Sequence, residues 1–184
     1  MKIKTVFKNW PNPLKYVIGL LTVLFFRVVP HPPNVEPVMS SMMPFSKKGG
    51  WIAGMIFCLI AIIGYDFLTG TLGVWSLFTA GAYAALGAFA GWFFKNRESK
   101  VKNYVLFAII GTLLYDAVTG IGLGVLVFNQ SFMTTLIGQI PFTLYHLMGN
   151  IVLSAVLSPL LYDWVVNNPK LDLVKIGFAR IVKA

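Results

Sequence analysis

Charge is scarce in this chain. Of its 184 residues, 11% are Asp, Glu, Lys or Arg, against about 25% in soluble domains. Apolar residues make up 57%. A water-exposed domain of this size needs more polar surface than that, whereas a bundle in lipid does not. Acids are the scarcest charged class, six against fifteen Lys and Arg. The one cysteine, Cys58, excludes an internal disulfide and a Cys-based metal cluster. It lies in an apolar run, where a thiol acts as a small buried hydrophobe. No second ligand stands at a suitable spacing from His146, so no metal site is predicted. Phosphate-binding glycine loops, zinc motifs and nucleophile elbows are all missing. No cofactor and no enzymatic activity are therefore predicted, and any ATP-driven work requires another protein.

What is present is a series of apolar runs bounded by basic residues. The fold class is all-α, an integral membrane bundle of about six transmembrane helices. Apolar runs occur at 17–29, 51–68, 74–94, 104–114 extending towards 128, and 132–165. A spanning helix needs about 20 residues. No small-x-small cleavage site follows the first run, which reads as a retained helix. Asp116 and several glycines interrupt the stretch 104–128, predicting a helix to about 116 and then a mobile or re-entrant outer segment. Pro141 and Pro159 predict kinks in the last helix. Segment 36–45 is short and only moderately apolar, a half-span or tilted helix.

The net charge of +9 does not point to nucleic acid, because the cations sit at the ends of the apolar runs. Fourteen of the fifteen Lys and Arg fall at 2–15, 47–48, 95–102 and 170–183. Six crossings place all four groups on one side, the cytoplasmic side of a plasma membrane, with both termini there. Segments 27–36, 65–73 and 115–131 remain outside, holding Arg27, Glu36, Asp66 and Asp116. This topology requires 36–45 to cross. Residues 1–168 form one transmembrane domain. Residues 169–184 mix Leu171, Val174, Phe178 and Ile181 with four cations and predict a basic amphipathic cytoplasmic tail.

Three features can build a site. Tyr65-Asp66-Phe67-Leu68-Thr69-Gly70 recurs fifty residues later as Tyr115-Asp116-Ala117-Val118-Thr119-Gly120. Carboxylates this close to a membrane core are functional candidates; equally, Asp-x-x-Thr-Gly is a helix stop. Next, Gln139, Thr143, His146 and Asn150 follow three- and four-residue spacing and share one helix face. Such a stripe lines a substrate cavity or hydrogen-bonds neighbouring helices. Last, the outer loop holds Arg27, His31, Asn34 and Glu36 among four prolines that stiffen it. The natural partners of Arg27 are the nearby acids or an anionic substrate. Separately, Ala80, Ala84, Gly87, Ala88 and Gly91 form a small-residue face for close helix packing or partner docking.

The segment Arg27-Val28-Val29-Pro30-His31-Pro32-Pro33-Asn34-Val35-Glu36-Pro37-Val38, with Asp66 after it, resembles a family of small bacterial membrane proteins. Those proteins are similar to the substrate-binding S components of energy-coupling factor (ECF) vitamin transporters. The resemblance implies a six-helix protein that captures a small-molecule substrate, a vitamin or related micronutrient, from outside. It also implies a membrane coupling subunit and ATPases as partners. Arg27, His31, Asn34, Asp66 and Asp116 would line the outer pocket. The Ala-x-x-x-Ala docking pair typical of the S components is not in the first helix, which reads Gly19-Leu20-Leu21-Thr22-Val23. Two other readings stand beside this one. A scaffolding protein of cell-shape type would use the same polar groups only to hold the bundle together. A membrane lipid enzyme would use Asp66, Asp116 and His146.

Overall fold

A computed structural model describes residues 12–32 and 34–172. Among them the chain is all-helical, with five helices. Helix α1 is Pro13–Val28, α2 is Val38–Thr69 and α3 is Val74–Phe93. Helix α4 is Val101–Asp116, continued by a π-helical turn, Ala117–Gly122, and a last α turn, Leu123–Leu126. Helix α5 is Phe132–Leu161, continued by a π-helical turn, Tyr162–Val166. Four of these stretches are long and apolar enough to cross a membrane: α2, α3, Val101–Leu126 and Phe132–Val166. Helix α1, at 16 residues, is below that length. Large apolar side chains such as Leu77, Leu126, Ile137 and Met148 face outward, two-thirds or more exposed. Lipid covers such a surface without cost; water does not.

Helix α2 is broken at Gly50, where φ is 81° and ψ is −171°. That backbone region is open essentially only to glycine. The break divides 38–49 from 51–69. The first part, predicted as a weak half-span, is the centre of the molecule: residues 37–46 are all buried. Its modest hydropathy has a structural reason. Protein surrounds it on every side, so it carries Ser40, Ser41 and Ser46 where a lipid-facing helix would carry Leu. Pro44 lies inside this helix and has no N–H for the carbonyl of Ser40. Ser158 on α5 donates its Oγ–H to that carbonyl at 2.7 Å, so the group freed by proline is satisfied by a neighbouring helix.

Helices α2 and α3 pack closest. A Cβ on Gly54 would land on Ser46 Oγ and the carbonyl of Gly87, and a Cβ on Gly91 would land on the backbone of Trp51. The small-residue face of α3 is thus used inside the molecule. So is the small residue of α1, where a Cβ on Gly19 would strike the Phe45 ring. Phe45 in turn stacks on Phe57 with centroids 4.7 Å apart.

Basic groups far apart in sequence meet at one end of the bundle. Buried Lys15 pairs with Asp172 at 2.7 Å and donates to the Val166 carbonyl at 3.0 Å. Lys47 donates to the carbonyl of Arg97, and Lys48 reaches Asn167 at 3.3 Å. One expectation needs correction. The α-helical part of α4 ends at Asp116, as expected, but a π turn and a last α turn carry the helix on to Leu126 in place of a re-entrant segment. Helix α5 is continuous through Pro141 and Pro159 and passes into the π turn at Tyr162. Of the tail, Pro169–Leu171 is a 3-10 turn capped by Asn168; residues 173–184, where the amphipathic helix was expected, lie outside the described residues.

Candidate functional site

At the end opposite the lysines, polar residues from the loop after α1 and from α3, α4 and α5 converge. Arg27 occupies the last turn of α1. Its guanidinium lies over the Tyr65 ring, 3.9 Å from the centroid, and faces Glu36 at 3.6 Å. Its Nη1 is buried without a partner. The loop turns back at Asn34, in the left-handed region at φ 64°, which asparagine tolerates better than most residues. Asn34 and Glu36 then border a small cavity of about 60 Å³, whose other walls are Tyr83, Tyr115, Phe142 and His146. The Tyr83 and Tyr115 rings pack together tilted by 39°, with centroids 4.5 Å apart.

Below the cavity lies a buried ionisable pair. His146 Nδ1 is 2.8 Å from Asp116 Oδ1, with both side chains at or below 4% exposure. Asp116 Oδ2 has no partner. One helical turn deeper, Asn150 Nδ2 donates to Thr112 Oγ1 at 2.8 Å, leaving Asn150 Oδ1 unpartnered. Thr112 approaches the sulfur of Met39 on the central helix. The polar stripe on α5 continues through Ser154, also unpartnered, to Ser158. The i+4 register of 146, 150, 154 and 158 carries it inward, which the stripe drawn from 139 to 150 missed.

The repeated hexapeptide shows how surroundings decide a role. In both copies the Thr bonds the Tyr carbonyl four residues back, Thr69 to Tyr65 at 2.9 Å and Thr119 to Tyr115 at 2.8 Å. In the first copy Gly70 takes φ 70° and its N–H closes the helix. Asp66 is half-buried there, and its carboxylate has no partner among the described residues. In the second copy the helix continues through the π turn, because α5 lies alongside. Gly120 fits against the Gln139 amide, where a Cβ would overlap it. Asp116 is consequently covered and meets His146.

The structure therefore brings Asn34, Glu36, Asp116 and His146 to one site, with Gln139, Thr143 and Asn150 along the same face of α5. It does not bring the others there. Arg27 stands one residue back, paired with Glu36, and contacts neither Asp66 nor Asp116. His31 is exposed and hydrogen-bonds within its own loop. Asp66 and Thr69 form a helix end. Thr119 serves the backbone of the π turn. Sequence reading missed Tyr83, Phe142 and Thr112, and passed over Tyr115 within the repeat. A lone tyrosine in the Ala/Gly-rich α3 was the available signal for Tyr83. No group of three or more His, Cys, Asp or Glu able to hold a metal occurs among the described residues.

A family model, described as a family of unknown function (DUF6580), matches residues 7–167. No curated protein and no solved structure matches the chain.

Proposed function

This chain belongs to the DUF6580 family, and we propose that it is a membrane-embedded small-molecule-binding subunit of S-component type. It takes its substrate, a vitamin or related micronutrient, at the end of the bundle that carries Glu36 and His146. One observation carries this reading: two buried polar groups with an unpartnered atom lie directly behind the cavity wall, Asp116 against His146 and Arg27 against Glu36. Asp116 Oδ2 and Arg27 Nη1 both lack partners. An orphaned buried polar atom costs about 1–3 kcal/mol, which a ligand supplying the missing bonds would recover. The cavity of about 60 Å³ is far below the roughly 300–1,000 Å³ of a drug-sized site. A vitamin needs more room, so this reading requires the cavity to widen on binding. ATP-driven uptake then requires a membrane coupling subunit and ATPases, which the chain does not contain.

The test is native mass spectrometry of gently purified protein, with thermal shifts across a vitamin panel. A bound molecule of a few hundred daltons is expected, lost in Arg27→Ala and His146→Ala and retained in Asp66→Asn. A clean apo mass with no thermal shift would leave the polar groups as internal bonding only, and the scaffolding reading would take its place.

The accompanying topology is six crossings of the plasma membrane, with both termini cytoplasmic. Support comes from the basic residues gathered at one end of the bundle and from the break at Gly50, which divides Val38–Thr69 into two parts that this topology reads as separate crossings. Cys58 is buried, so an introduced thiol can be labelled without background. In intact cells, Leu72→Cys should react with a membrane-impermeant maleimide. Lys95→Cys should react only after the cells are opened. The reverse pattern, or labelling of both from outside, would reject this topology.

A further inference from the structure

Asp116 borders a second and larger space. A groove of about 420 Å³ runs between α4 and α5, with Leu113, Leu136 and Ile140 among its apolar wall and Asp116, Gln139 and Thr143 its polar members. Its size falls in the roughly 300–1,000 Å³ range of drug-sized sites. Leu113 and Ile140 are about half exposed on the flank of the bundle, so the groove opens towards lipid rather than to the outer cavity. A purely apolar groove there would hold a lipid acyl chain and nothing else. This one has a carboxylate in its wall, 2% exposed, with one oxygen on His146 and the other unpartnered. The π turn that carries Ala117 and Ile121 forms part of the same wall; such turns recur at functional sites. A carboxylate in this setting is costly unless a donor reaches it.

We propose that the α4–α5 groove is a ligand site entered from the lipid, and that its occupant is a freely diffusing lipophilic amine. The apolar body lies along the groove, and the ammonium reaches past the wall to donate to Asp116 Oδ2, which the unliganded protein keeps covered. This goes beyond the outer pocket proposed above and shares only Asp116 with it. It gives a second ligand class, amphiphilic and cationic, that enters from the membrane.

The test uses dodecylamine carrying a chain diazirine, beside the matching dodecanol, on the full chain in phosphatidylcholine nanodiscs. Phosphatidylcholine has no N–H to compete. Photolabelled peptides covering 113–121 and 136–147 should carry at least five-fold more amine label than alcohol label. Unlabelled dodecylamine should remove the excess, and Asp116→Asn should bring it down to the alcohol level. Leu136→Trp narrows the groove while keeping the carboxylate; it should cut amine labelling several-fold even where Asp116→Asn fails to fold. Equal labelling by amine and alcohol, or full amine labelling in Leu136→Trp, overturns the proposal. So does loss of the excess when phosphatidylethanolamine is added, because the occupant is then a bilayer lipid. A protein that retains a polar ligand yet labels equally with both probes sinks the groove alone. One that labels selectively with the amine but shows no polar ligand keeps the groove and sinks the outer pocket.

Discussion

Replacing His146 by alanine is expected to destabilise the folded protein by about 3 kcal/mol or more, since orphaning a buried polar group costs about 1–3 kcal/mol and a charged one more. The reason lies in what is left behind. Asp116 Oδ2 already has no partner, and His146 supplies the only bond of the side chain, 2.8 Å from Oδ1. Without the imidazole the carboxyl group is fully orphaned beside apolar walls. The converse change, Asp116→Ala, should cost less, because it removes the carboxyl group instead of stranding it. Replacing both by leucine should recover most of the loss, since an apolar pair of similar volume is often neutral or better. Reversible unfolding of the parent, the two alanine variants and the double-alanine variant in one detergent, treated as a double-mutant cycle, reads the coupling directly. Single variants that each cost below about 1 kcal/mol and add without coupling would mean that water already solvates the pair. Asp116 would then have no special need for a ligand.

The second large effect is steric. Gly87→Ala and Gly81→Ala sit six residues apart on α3 and should act with opposite sign. A Cβ at Gly81 meets nothing within 4 Å, so alanine there gains up to about 1 kcal/mol of helix propensity. A Cβ at Gly87 lands on the carbonyl of Gly54 and the backbone of Met55. Side chains can rotate away from an intruding methyl group, but backbone cannot, so α2 and α3 must separate. The cost should reach or exceed the 1–3 kcal/mol of ordinary overpacking. Thermal unfolding in detergent should show Gly81→Ala at or above the parent and Gly87→Ala well below it. Matching midpoints for the two variants would refute the close approach of α2 and α3.

The stripe on α5 was legible because membrane helices tolerate polar residues only where protein or a cavity receives them, so their spacing reports a buried face. Its partners were not legible. Asn150 bonds Thr112 and Ser158 bonds Ser40, pairs 38 and 118 residues apart in sequence. The two copies of the Tyr-Asp-x-x-Thr-Gly segment are equivalent as text. Only the neighbouring α5 distinguishes them, by covering Asp116 and leaving Asp66 at a helix end. Arg27 was open to several acids in sequence; the turn at Asn34 returns Glu36 to it and leaves the others out of reach.

By itself, then, the sequence determined the solvent, the helices and one polar face. Those follow from local quantities: apolar content, the spacing of polar residues and the positions of the lysines. Tertiary structure alone decided that the least apolar crossing candidate, 38–49, is the central helix. Hydropathy measures affinity for lipid, and a segment wrapped in protein is not selected for it. Tertiary structure alone also decided which of two identical aspartates is buried, because desolvation depends on what packs against a residue and not on the residues beside it in the chain.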